Sequence, residues 1–307
     1  MKGFRPLKLL RCYACEFSRS GSFLATLSRD VVVWDMATCK KRFRTHPLSH
    51  PSHCAVHPSE AEMAVKNTSA EIVVLDTEKG EIIRVLDLGG VEGSNICYSA
   101  CGEFLVDGSW SGVLTVRSST TGAIEFQRHF PGEMITKVVR DDHSGRWFTV
   151  HSPVSTRADQ PAAPDHVYVW GWPMTTPLRT IRLRHANIDD LSIAPDGSTC
   201  AVSDRDVISL FDVDGLSVVA SLSGVAGVLP RTLAWSPDSH MLAAVVGEGV
   251  AFYSIPGLER IHEVPLKFAC DVQFSPDGSK VACGSWSGGL LVEAPNLIAA
   301  RVGERSD

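Results

Sequence analysis

A five-residue turn phrase returns along this chain at near-regular intervals, and it limits the possible folds more than any other feature. Phe274-Ser275-Pro276-Asp277-Gly278 is the cleanest copy. Ala194-Pro195-Asp196-Gly197 and Trp235-Ser236-Pro237-Asp238-Ser239 are close variants. Phe17-Ser18-Arg19-Ser20-Gly21, Tyr98-Ser99-Ala100-Cys101-Gly102 and Asp142-His143-Ser144-Gly145 are looser ones, and Val56-His57-Pro58-Ser59-Glu60 fills the remaining slot. Each lies between two runs of alternating apolar residues. Proline presets φ for a tight turn, and glycine tolerates the positive φ that closes it. Gly102 and Gly145 are 43 residues apart, Gly197 and Ser239 42, and Ser239 and Gly278 39. Gly21 and Gly102 are 81 apart, which accommodates two units with the weak copy between them. Gly145 and Gly197 are 52 apart, and the excess falls in the Pro/Ala/Ser-rich stretch His151–Asp165, an inserted loop.

Within a unit, period-two alternation marks four short strands. In the sixth unit they are Arg231–Ser236, Met241–Val246, Val250–Ile255 and Glu259–Val264; in the first, Arg11–Phe17, Phe23–Leu27, Val31–Asp35 and Cys39–Arg44. No segment sustains a helical period, which disfavours a parallel α/β sheet. A period of about 40 to 45 residues with four short strands is the mark of a β-propeller. The expected fold is therefore all-β: one seven-bladed β-propeller of four-stranded antiparallel blades over residues 1–307, with a loop insert at about 152–165 in blade four. The outer strand of the seventh unit has two candidates, Leu297–Val302 and Leu7–Leu10. An open ring would leave an exposed edge.

The sequence resembles the WD-repeat propellers from about residue 11 to 302. Val33-Trp34-Asp35 closes the third strand of unit one, and Leu75-Asp76 and Phe211-Asp212 hold the matching places. Val169-Trp170 matches as well, followed by Gly171. Arg184-His185 precedes the fifth unit where the family often has Gly-His. Gly108-Ser109-Trp110-Ser111-Gly112 and Gly284-Ser285-Trp286-Ser287-Gly288 match the family's turn between second and third strands. Only unit one has the full Trp-Asp pair, so the resemblance implies that the family's buried His–Ser–Asp–Trp network is mostly absent. Unit five retains His185, Ser203 and Asp204 for part of it, with Phe211 in place of tryptophan.

Several features invite a chemical reading. His46, His50, His53 and His57 with Cys54 carry metal-binding atoms, but they straddle a blade-joining loop and the following strand, and Cys54 has the opposite strand parity. Cys12 and Cys15 have C-x-x-C spacing, yet on a strand they face opposite sides, and no second pair stands at zinc-site distance. The pairs Asp141-Asp142 and Asp189-Asp190 read as edge or turn residues. There is no G-x-S-x-G elbow, phosphate loop or H-E-x-x-H phrase. No catalytic residue, cofactor or metal is expected, and the chain is read as a non-enzyme.

The loops joining second to third strands share a face with those joining blades. Trp110 and Trp286 tip two equivalent glycine-flanked turns there, with Arg29, the insert residue Arg157, His185 and Arg205 around them. Tryptophan and arginine are the residues most enriched at binding hot spots. The expected function is a scaffold that binds a protein or peptide through this loop face. The alternative is an enzyme or small-ligand binder using the central channel mouth. The net charge of −6 argues against nucleic acid. No apolar run reaches membrane-spanning length, and nine cysteines without a secretory signal imply reduced thiols in the cytoplasm.

Overall fold

The structure, a computed structural model, describes residues 5–9, 12–154, 163–183, 188–204, 207–215, 217–225, 233–247 and 249–295. Its strands form seven separate four-stranded antiparallel sheets, and no helix occurs among the described residues. Blade one comprises Ala14–Phe17, Phe23–Leu27, Val31–Asp35 and Lys40–Thr45. Blade four comprises Glu133–Arg140, Trp147–Pro153, His166–Trp170 and Pro177–Arg182. In blade one the period-two reading places the strands to within a few residues.

The burial pattern explains how the blades are stacked. Second and third strands are buried on both faces, as in Phe23–Leu27 and Met241–Val246. They lie between neighbouring blades, so both rows of side chains are mainly apolar, with buried polar exceptions such as Lys66 and Asp107. Fourth strands alternate exposed and half-buried residues and form the outer wall. First strands of successive blades touch in an unbroken circuit that includes seven to one. The apolar clusters accordingly span blade pairs: Trp147 and Trp170 of blade four pack with Val106, Leu114 and Val116 of blade three.

The turn phrases are polar devices that need only local residues. Ser275 Oγ accepts from the Lys280 N–H at 2.9 Å and Ser236 Oγ from the Met241 N–H at 2.9 Å. Asp277 accepts from the Ser275 hydroxyl and from the Ser279 N–H, which pulls its carboxyl down to about 2. The aspartates that end third strands cap the next turn: Asp35 Oδ1 takes the Thr38 N–H and Asp76 Oδ1 those of Glu78 and Lys79.

Polar side chains of the inner strands bind blade to blade. Asn95 both donates to the Val138 carbonyl (2.8 Å) and accepts from the Val138 N–H (2.9 Å). Asp190 accepts from the Leu233 N–H at 3.0 Å, and Asp271 from the Cys15 N–H at 2.7 Å. Asp190 is thus buried in an inner strand and paired with Lys137, not an edge or turn residue as its sequence context suggested; Asp141 does hold a turn, accepting from the His143 N–H. Between blades two and three the latch is ionic. Lys66, 1% exposed, donates to Asp107 and to the carbonyls of Ser94 and Gly108, all near 3.2 Å. A buried pair with every partner in place fixes one arrangement, because an uncompensated charge there is costly.

The N-terminus closes the ring. Leu7–Leu9 pairs antiparallel with Gly289–Glu293, in register Leu7↔Leu291 and Leu9↔Gly289. Blade seven is therefore Ala269–Phe274, Lys280–Ser285, Gly289–Glu293 and Leu7–Leu9. Leu297–Val302, the other candidate, lies outside the described residues, and the place beside Gly289–Glu293 is taken. Leu9 is fully buried against Leu24, Leu291 and Trp34. Leu9→Ala should therefore cost about 2–5 kcal/mol in urea unfolding, the range for a buried leucine. A cost near zero would mean that this strand does not close the ring.

Candidate functional site

The loop face carries the exposed aromatic residues. Trp286 is 55% exposed and Trp110 43%. Each tips a turn that glycine makes possible. At Gly112, φ is +77° and an added Cβ would lie 2.3 Å from the Phe130 carbonyl oxygen, so no side chain fits. The flanking serines brace the second turn: Ser285 and Ser287 hydroxyls both donate to the Lys267 carbonyl, at 2.7 and 3.1 Å. The Trp286 N–H donates to the Phe268 carbonyl at 3.1 Å. Phe268, 68% exposed, thus stands beside Trp286 on the loop from blade six.

Behind Trp286 lies Tyr13, its ring stacked at 4.7 Å between centroids. The Tyr13 hydroxyl reaches two carbonyl oxygens, Ser28 of blade one and Pro51 of blade two, at 2.5 Å each. Burial, with Cys270 alongside, pushes its phenol up to about 12, so it stays a neutral donor. One side chain therefore ties blade seven's tryptophan to the loops of blades one and two. A recess of about 730 Å³ opens there, with Tyr13, Arg29, His46, His50, His53, Glu92 and Trp286 in its wall. Burial raises the Glu92 carboxyl, partly offset by Lys66.

Two of the six expected contact residues, Arg29 and Trp286, meet in this recess. Trp110 is outside it, although its N–H donates to the Glu92 carbonyl at 2.7 Å. Arg157, His185 and Arg205 lie outside the described residues. The histidine run divides. His46, His50 and His53 line the recess, Cys54 is buried in the core, and His57 lies on the far side of the blade, bonded to Ser59 and the Gly102 carbonyl. Tyr13 and Phe268 were not singled out from sequence. Neither sits in a repeated phrase, and Tyr13 gains its role only when the ends of the chain meet.

Cys12 and Cys15 require a correction. Cys12 precedes the first strand of blade one and bridges to Ser285, so the strand-parity argument does not apply. The Cys15 thiol donates to Asp271 Oδ2 at 3.3 Å, and the neighbouring Cys12 side chain together with burial raises it. All nine cysteines are thiols.

A second polar cluster stands on the same face, in blade four. Trp147, Thr149 and His151 alternate along one strand, opposite Trp170, Tyr168 and His166 on the next. Trp170 Nε1–H donates to Thr149 Oγ1 at 2.9 Å, Thr149 Oγ1 is 2.8 Å from His151 Nε2, and His151 Nδ1 is 2.8 Å from Glu133. A network of the kind expected to be mostly absent thus stands here: Trp170 keeps the family's tryptophan place, and Thr149, His151 and Glu133 complete the chain of hydrogen bonds. In blade one only its first link occurs, Trp34 Nε1–H to Thr26 at 3.1 Å. Burial, then the neighbouring His166, lowers His151 to about 3, so it is neutral at pH 7. The sequence signal was present as the alternation W-x-T-x-H and H-x-Y-x-W, but the insert between its halves hid their pairing.

The central channel holds a further cavity of about 490 Å³, lined in part by Glu16, Asn95, Lys137, Asp190, Asp271 and Gln273. Asn95, Asp190 and Asp271 are the blade-to-blade latches, and Lys137 is paired with Asp190.

Strand order and blade stacking together define a seven-bladed β-propeller. No family model matches the chain. Two curated WD-repeat proteins of Schizosaccharomyces pombe (strain 972 / ATCC 24843) are similar to parts of it. The small ribosomal subunit protein RACK1 is 27% identical over 130 residues, 38% of this chain and 40% of RACK1. The meiotic recombination protein rec14 is 32% identical over 99 residues, 31% of this chain and 33% of rec14. The matches span well under two thirds of either relative.

Thr149→Val keeps the side-chain volume but leaves both Trp170 Nε1–H and His151 Nε2 without their partner. It should cost at least about 2 kcal/mol in chemical denaturation, more than Thr26→Val in blade one. Equal costs would show that the histidine link contributes nothing.

Proposed function

We propose that this chain is a non-enzymatic interaction module that binds a protein or peptide partner through its loop face, with the recess between blades seven, one and two as the principal seat. The observation that carries this reading is Trp286: an indole held rigidly by Tyr13 and the turn serines, yet more than half exposed beside Arg29 and Phe268. Monomeric surfaces rarely leave large aromatic groups together in water. Here ordering costs little on binding, because the scaffold has already fixed the side chain. Leu88, Val91 and Trp110, all exposed, extend the apolar surface towards blade three, and Val154 adds to it from the edge of the insert. Arg157, His185 and Arg205 are the polar contacts we assign to the remaining arc.

The relatives' names refer to the small ribosomal subunit and to meiotic recombination. Membership of a larger assembly is the role we extend to this chain. The basic residues Arg42 and Arg44 are paired with Asp35, Glu78 and Asp30, which weighs against a nucleic-acid surface. A chain whose nine cysteines are all thiols suits a reducing compartment, and we place it in the cytoplasm. The channel reading is weaker, because three of the polar groups there already hold neighbouring blades together.

Affinity capture from the native source tests this. Trp286→Ala should weaken retention of the partner by about 2 kcal/mol or more, a loss of about thirtyfold in affinity, and Arg29→Ala by a smaller factor. Val219→Ala, on the outer wall, should leave it unchanged. Equal retention by all three variants would remove the recess as the seat.

A further inference from the structure

We propose that Glu133, His151 and His166 form a binding site for one divalent transition-metal ion of the Zn²⁺ class, at the root of the blade-four insert. The donor atoms of the three side chains all lie within 4.8 Å of one another. Glu133 Oε2 is 2.8 Å from His151 Nδ1, and Oε1 is 3.4 Å from His166 Nε2. The imidazoles stack at 5.5 Å between centroids. Three adjacent strands place them: His151 lies directly opposite His166, and Glu133 begins the neighbouring strand.

The surroundings are those of a supported ligand set. His151 is 0% exposed, and its Nε2 is held by Thr149, which Trp170 holds in turn. Metal-binding histidines are usually fixed in this way through the nitrogen that does not bind the ion. The hydroxyl oxygen can accept from both the Trp170 and the His151 ring N–H groups, which leaves Nδ1 with a lone pair facing Glu133. Binding then requires the His151 proton to sit on Nε2 rather than Nδ1, with no change in the ring's charge. Glu133 and His166 are partly exposed, so an ion has a way in.

Two imidazoles and one carboxylate suit Zn²⁺ and its borderline neighbours; Mg²⁺ and Ca²⁺ prefer all-oxygen sets. Three protein ligands leave a fourth position for water. His166 is the first residue of its strand after the insert, and Glu133 the first after the loop from blade three. An ion here joins the root of the insert to that neighbouring loop. This site is independent of the recess at Trp286, and either can stand without the other.

The test uses the full chain, stripped with a chelator and titrated with Co²⁺ and then Zn²⁺. The expected result is one Co²⁺ per chain with visible absorption, displaced by Zn²⁺. His166→Ala and Glu133→Gln should each weaken binding by about tenfold or more, with metal-free unfolding midpoints close to that of the parent. The triple variant His46→Ala, His50→Ala, His53→Ala should bind as the parent does. His151 is buried, so the two partly exposed ligands carry the test. No Co²⁺ absorption at micromolar metal, unchanged binding in both single variants, or loss confined to the triple variant would each overturn the proposal.

Discussion

Closure of the ring is the interaction on which the rest of this structure depends. A propeller blade buries both faces of its middle strands only while it has a neighbour on each side. Six of the seven junctions join blades that follow one another in the chain. The seventh must be made by residues from opposite ends, and Leu7–Leu9 makes it by completing blade seven. Asp271 adds a second tie there by accepting the Cys15 N–H. The recess depends on the same seam. Tyr13 lies between the closing strand and the first strand of blade one, stacks on Trp286, and reaches the loops of blades one and two. If the seam opened, the recess would lose the part of its wall that Tyr13 and Trp286 form.

Polar residues serve two separate purposes in this repeat. Near the turns, serine and aspartate satisfy backbone groups within their own blade, as at Ser275 and Asp277 or at Asp35 and Asp76. In the inner strands, Asn95, Asp190 and Asp271 satisfy backbone N–H groups of the next blade. This division accounts for the weak repeat signature. The aspartate at the end of the third strand caps its turn whether leucine, phenylalanine or tryptophan precedes it, as Asp76, Asp212 and Asp35 show. Tryptophan is needed only where its ring N–H has a hydroxyl to meet, at Trp34 and Trp170.

Strands and turns were legible because they are local. Phe23–Leu27, Val31–Asp35 and Met241–Val246 were placed to the residue. Arg29, Trp110 and Trp286 were assigned to the loop face from their position in the unit alone. The blade-four network was not legible, because the family pattern puts its histidine in the blade-joining loop. There the histidine is two residues along the same strand from its threonine. Strand parity also does not apply at Cys12, where the chain has not yet entered the strand.

The sequence by itself determined the period, the antiparallel blades and the turn chemistry, since each needs only residues within a few positions of one another. The tertiary structure decided what meets across blades. It decided that the N-terminal strand closes the ring, that Tyr13 backs Trp286, and that Glu133, His151 and His166 converge across the insert. The physical reason is that pairing register and blade-to-blade contact are set by burial of whole faces, a property of the assembled ring that no local phrase encodes.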